Sequence, residues 1–181
     1  ILNNSERATT LQSNTNSLNN LIANPDFELG DTLFSSEYAA YSYSPGARLA
    51  DNIGRYTIVD SAGTAVLNWR GTGFGGQGNF LANDGATASG RKVWSQKVKC
   101  KLSASYQLEF HVTSLSLSHD VDTANEYWDR ALLKVVINDA VVGYVFAPSQ
   151  MMKWEMFRGN WISGNDSVAD ISIIDVNTGG R

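Results

Sequence analysis

From residue 21 onward this chain alternates short apolar runs with clusters of Gly, Asn, Ser and Asp, a texture that few folds can use. Several runs have a period of two. Tyr106, Leu108, Phe110 and Val112 form one row, with Gln107, Glu109, His111 and Thr113 between them. Trp94, Gln96, Val98 and Cys100 alternate with Ser95, Lys97 and Lys99. Leu133, Val135 and Ile137 alternate with Lys134, Val136 and Asn138. Successive side chains of a strand point to opposite faces, so each row reads as a strand with one buried face. The pattern predicts strands over 21–27, 55–60, 79–83, 92–100, 106–114, 132–138, 141–146, 153–161 and 169–175. Asn138 and Asp139, between two apolar runs, read as a tight hairpin turn. No segment beyond the first 20 residues carries a sustained helical period. Many short strands separated by turn signals make an all-β sandwich, jelly roll or barrel.

With 181 residues the chain can bury one sizeable core. Its 43% hydrophobic and 10% aromatic content excludes global disorder. Residues 1–20, rich in Asn, Ser and Thr, read as a polar arm or linker, and residues 21–181 as the folded unit. The net charge is −4, and only Lys97, Lys99 and Lys101 form a short basic run, so a nucleic-acid partner is not expected. No apolar run is long enough to insert in a membrane, and no signal peptide is visible. The chain begins with Ile1 rather than Met, which reads as a processed protein or an excised piece. Cys100 has no second cysteine to pair with, and its place at the end of an apolar row reads as a small buried side chain.

Three blocks occur in a telling order. The first is Leu-Ile-Ala-Asn-Pro-Asp-Phe-Glu-Leu-Gly at 21–30, followed by Phe-Ser-Ser-Glu-Tyr at 34–38. The second comprises Gly-Arg-Tyr-Thr-Ile-Val at 54–59, Gly-Gln-Gly-Asn-Phe-Leu-Ala-Asn-Asp-Gly at 76–85 and Val-Trp-Ser-Gln at 93–96. The third runs through Leu-Lys-Val-Val-Ile-Asn at 133–138, the stretch from Trp154 to Trp161, and Ile-Ser-Ile-Ile-Asp-Val-Asn at 171–177. Together they resemble the galactose-binding-domain-like jelly rolls of bacterial secreted and cell-surface proteins, which include many carbohydrate-binding modules. The resemblance spans about residues 21–181. It implies a jelly-roll β-sandwich of two antiparallel sheets, extracellular or at the cell surface. It also implies a non-catalytic role, holding a glycan for a larger protein with other domains. Two departures stand out. Relatives continue after the Asn-Thr-Gly-Gly of 177–180 into a final strand carrying Asp-Asp, which is missing here, and residues 117–130 form a longer, more acidic loop.

The resemblance further implies a structural calcium at the sandwich edge, held by a Glu and backbone carbonyls of the first block. Asn24 and Glu28 stand at those places, while the final-strand Asp is absent. Calcium takes six to eight oxygen ligands, which suits carboxylates and carbonyls.

Sugar sites stack rings on aromatic faces, so the tryptophans matter. Trp94, Trp154 and Trp161 fall at recurring strand positions and read as core. Trp69 and Trp128 lie among polar neighbours and are the candidate stacking residues. Tyr38, Tyr41 and Tyr43 suit either a ligand or a lid over the sandwich end. The row Gln107, Glu109 and His111, joined by Arg158 and Asn160, offers planar polar groups to a hydroxyl-rich ligand; a hydrated sheet face explains it equally. Asp120, Asp122, Asn125, Glu126 and Asp129 begin like a calcium-binding helix–loop–helix loop but lack its Gly at position six and Glu at twelve, and read as a solvated acidic loop. The glycines from Gly71 to Gly78 lack the Lys-Ser/Thr of a phosphate loop. His111 and His119 sit in no catalytic motif, and a pair such as Glu109 with Glu155 is one that any sandwich offers. The chain therefore does not read as an enzyme. A second reading stays open: a structural or protein-interaction sandwich with no sugar site, whose exposed sheet edge accepts a strand from elsewhere.

Overall fold

The computed structural model describes residues 2–3, 20–41, 53–65, 70–115 and 130–177. Its strands are β1 (Leu2–Asn3), β2 (Ala39–Ala40), β3 (Arg55–Val59), β4 (Phe80–Asn83), β5 (Lys92–Lys99), β6 (Ser105–Val112), β7 (Leu132–Ile137), β8 (Ala140–Phe146), β9 (Glu155–Ile162) and β10 (Val168–Asp175). A single helical turn, α1 (Ala62–Ala65), and a 3-10 turn at Phe74–Gly76 complete the elements. Eight of the nine expected strands are present, shifted by no more than two residues at either end.

The strands form an all-β sandwich. One sheet runs in the order β2-β3-β4-β1-β6-β9 and the other β5-β10-β7-β8. All neighbours are antiparallel except β2 and β3. The apolar rows face each other across one core. Leu81, Leu108, Phe110, Val112 and Phe157 of the first sheet meet Val93, Trp94, Val135, Ile137, Ile171 and Ile173 of the second. Fully burying one such side chain stabilises the fold by about 1.5–3 kcal/mol. Phe110 and Phe157 stack at 4.9 Å between ring centres, and Tyr106 tilts against Trp161 at 5.9 Å.

The hairpin forms as the turn residues require. Asn138 and Asp139 both have positive φ, 48° and 65°, which matches the right-handed twist of the strands they join. The Asn138 side chain also donates to Val168 O (2.9 Å) and accepts from Asp170 N (2.7 Å), tying the hairpin to β10.

Two segments differ from expectation. Residues 21–27 are not a strand. Asn24 and Phe27 adopt left-handed φ of 50° and 58°, and the backbone of Ala23 bonds to the side chain of Gln96 on both its N–H and its carbonyl instead of to another strand. Residues 1–20 read as an arm or linker, yet Leu2–Asn3 pairs with β4 on one side and β6 on the other. Without β1 those two strands would leave backbone groups unpaired in the middle of the sheet, and any short backbone can satisfy them. Cys100 is half-buried rather than sealed in; its thiol donates to the Asp166 carbonyl at 3.3 Å, and burial raises its pKa.

Candidate functional site

The register of β6 against β9 sets the outward face of the first sheet. Gln107 lies opposite Asn160, Glu109 opposite Arg158, and His111 opposite Met156. Cross-strand neighbours on one face are close enough to bond. Gln107 Nε2 donates to Asn160 Oδ1 at 3.2 Å, and Arg158 Nε donates to Glu109 Oε1 at 2.5 Å. The Arg158 side chain is half exposed. Such a surface pair adds little stability, but it fixes the guanidinium in one orientation.

His111 leaves this polar row. It is 6% exposed, and the ring of Phe74 stacks on its imidazole at 3.8 Å. Phe74 in turn packs edge-on against Trp154, which also meets Phe80. The glycine-rich segment that carries the 3-10 turn thus lays an aromatic cover over one end of the outward face. Phe80, Ala82, Ala62 and Leu115 form a small second core beside it. The parity of His111 is as expected, but a loop distant in sequence closes its face.

Arg158 has a second environment. β8 and β9 are the edge strands of the two sheets, and the space between them is a groove of about 730 Å³. That volume lies within the range of small-ligand sites. Arg130, Tyr144, Phe146, Lys153, Glu155 and Arg158 supply its aromatic and charged lining. Tyr144 is 56% exposed. Its position on β8 opposes Lys134, on the face away from the core. Glycine lets the two edges approach. A Cβ on Gly143 would come within 2.9 Å of the Phe157 ring, and one on Gly159 would collide with both that ring and Val142. Phe157 fills the space the two glycines leave and floors the groove. A register irregularity in β8 opposite Val135 and Val136 bends this edge further.

The residues expected at a calcium site hold the first loop together. Asn24 is buried. Its Nδ2 donates to the carbonyls of Gly30 (2.9 Å) and Thr32 (3.0 Å), and its Oδ1 accepts from Leu29 N at 3.0 Å. Glu28 accepts from the backbone N–H of Asn79 at 2.7 Å and from its Nδ2 at 3.4 Å, which clamps the loop to the start of β4. Among the described residues no three His, Cys, Asp or Glu side chains converge on one point.

A separate network lies inside. Tyr38 is buried; its hydroxyl donates to Asp175 Oδ2 at 2.6 Å and accepts from Ala86 N at 3.1 Å. Burial, then the bond to and charge of Asp175, push its pKa well above the ordinary tyrosine range. Tyr56 donates to Asp31 at 2.5 Å, and its pKa is likewise raised, by burial first and Asp31 second. Asp84 is pushed up to about 6 by burial. Tyr41 is also buried. Tyr38 and Tyr41 thus pack against apolar neighbours rather than facing solvent.

Trp69, Trp128, Tyr43, His119 and the acidic stretch at 120–129 lie outside the described residues. Glu155 stands opposite Val112, three positions from Glu109 along β6, so the two carboxylates belong to opposite faces. Tyr144 escaped the sequence reading. Local pattern offered no signal for it, since every residue from Val141 to Phe146 except Gly143 is apolar or aromatic. Comparison with family models, with curated proteins and with solved structures finds no match for this chain.

Proposed function

We propose that this chain is a non-catalytic glycan-binding module of the extracellular jelly-roll type, and that its ligand lies along the β8–β9 groove and the adjoining Gln107–Asn160 and Glu109–Arg158 face. The observation that carries the reading is that Tyr144, a mostly exposed aromatic residue, and Arg158, an oriented guanidinium, line one groove. A sugar needs an apolar face for its C–H surface and fixed polar groups for its hydroxyls, and this pairing offers both. The polar pairs Gln107–Asn160 and Glu109–Arg158 are already bonded, so little side-chain entropy would be lost on binding.

Thermal unfolding across a panel of polysaccharides tests the proposal. A ligand at 100 times its dissociation constant adds about 2.7 kcal/mol to stability, so a shifted midpoint is expected with at least one glycan. Tyr144→Ala and Arg158→Ala should each remove that shift while the unliganded protein still unfolds cooperatively. No shift with any glycan would return the groove to the rival reading, a protein-interaction sandwich whose edge strands β8 and β9 accept a partner strand. Calcium is a separable part of the proposal. Glu28 is exposed at the loop edge, and a higher midpoint in calcium than in EDTA, lost in Glu28→Gln, would support it.

A further inference from the structure

We infer that the groove is built for a carboxylate-bearing polysaccharide, an inference that rests on the glycan reading and narrows it. The protein as a whole is acidic, with a net charge of −4. The groove reverses that balance. Arg130, Lys153 and Arg158 line it against the single acid Glu155, with Glu109 bonded to Arg158 from the sheet face.

The two arginines are held in the same way. Arg158 is anchored through Nε to Glu109, and Arg130 is anchored through Nε to the Ala147 carbonyl at 2.7 Å. The Arg130 guanidinium also lies over the Phe146 ring at 5.3 Å, which fixes its plane. In both cases the anchor uses the inner nitrogen and leaves the two terminal nitrogens without a protein carboxylate among the described residues. A guanidinium presents those nitrogens as a planar fork that matches a carboxylate with two parallel hydrogen bonds. Lys153 adds an exposed ammonium that forms no ion pair among the described residues.

A neutral glycan in this groove would cover three cations and supply no counter-charge, which costs desolvation energy. A polymer with a carboxylate on successive sugars would answer that charge and still stack a ring on Tyr144. The two contributions are separable: the ring contact serves any sugar, whereas the forks discriminate by charge and shape.

The test titrates the full chain with four polymers: a polymer of galacturonic acid, the same polymer with its carboxyls methyl-esterified, a sulfated dextran and a neutral dextran. Affinity is read by calorimetry at low and at raised ionic strength. The free polyuronate is expected to bind at least about tenfold tighter than its methyl ester, which corresponds to ~1.4 kcal/mol, and to weaken as salt rises. Arg130→Gln and Lys153→Gln should each narrow that ratio several-fold. Lys153 is exposed, and its backbone rather than its side chain bonds to Thr113 and Gln150, so the second variant keeps the test alive if the first folds poorly. Equal affinity for acid and ester would overturn the carboxylate assignment and leave the glycan reading standing. Binding of the sulfated dextran in preference to the polyuronate would overturn it as well, since bare charge would then suffice. Failure of the polyuronate to bind would overturn the inference, while the glycan reading is decided separately by the wider polysaccharide panel.

Discussion

Around Asp175 a tyrosine and a carboxylate are shut in together; along the β8–β9 groove a tyrosine and a guanidinium stand in the open. Tyr38 is 3% exposed and Tyr144 is 56% exposed. In the first region the hydroxyl has a fixed partner, and burial raises its pKa because the charged form is penalised. In the second, the tyrosine is mostly exposed, and the Arg158 side chain that lines the same groove is half exposed. The same residue types serve cohesion in one place and remain available for recognition in the other. What separates them is cover: Tyr38 and Ala86 bond the Asp175 carboxylate and Gly90 and Arg91 its backbone, whereas β8 and β9 are edges that pair on one side only.

The largest expected effect comes from the residue that belongs to both worlds. Phe157 stacks on Phe110 in the core and floors the groove. Phe157→Ala should cost about 3–5 kcal/mol in denaturant unfolding, since the flanking strands cannot fully collapse on the space. A cost near zero would mean the groove floor is not part of the packed core. Tyr38→Phe is expected next, at about 1–3 kcal/mol, because Asp175 Oδ2 would keep only the long bond from Ala86 N at 3.4 Å. Glycan binding should survive that change. Its loss would erase the distinction between the two regions.

Asp84 sharpens the comparison through pH. Its ordinary value of 3.8 rises to about 6 because burial penalises the carboxylate, partly offset by a backbone bond from Gly85. The folded state therefore keeps a proton that the unfolded chain has released between those values. The associated stability is fully present below about pH 3.8 and is lost as pH rises through about 6. Lowering the pH from 7 to 5 should raise the unfolding midpoint more in the wild type than in Asp84→Asn. Equal responses would show that Asp84 is not desolvated. The smallest effect should be on the open side: Tyr144→Ala is expected to change unliganded stability by no more than about 0.5 kcal/mol, as for most surface substitutions. A larger cost would mean that the ring is part of the packing and not a free platform.

Much of this was legible from residue order. Eight strands, the Asn138–Asp139 turn and the opposite parities of Leu108 and Glu109 follow from local alternation and turn chemistry. Trp94 is buried as its strand position implied, and Trp161 packs against the core. The site was legible only in part. Glu109, Arg158, Gln107 and Asn160 do meet on one face, because strands that alternate must bring outward residues together once paired. Residues 21–27 misled because their apolar spacing resembles a strand while Asn24 and Pro25 favour a loop.

The sequence by itself determined which residues of an alternating strand share a face, since side-chain direction in a strand is a property of the backbone alone. Only the tertiary structure decided which outward faces stay open. Whether His111 is covered depends on Phe74, 37 positions away in a different turn, and whether Arg158 lines a groove depends on which strands became edges. Strand order and loop cover arise from contacts between distant segments, and local period carries no information about them.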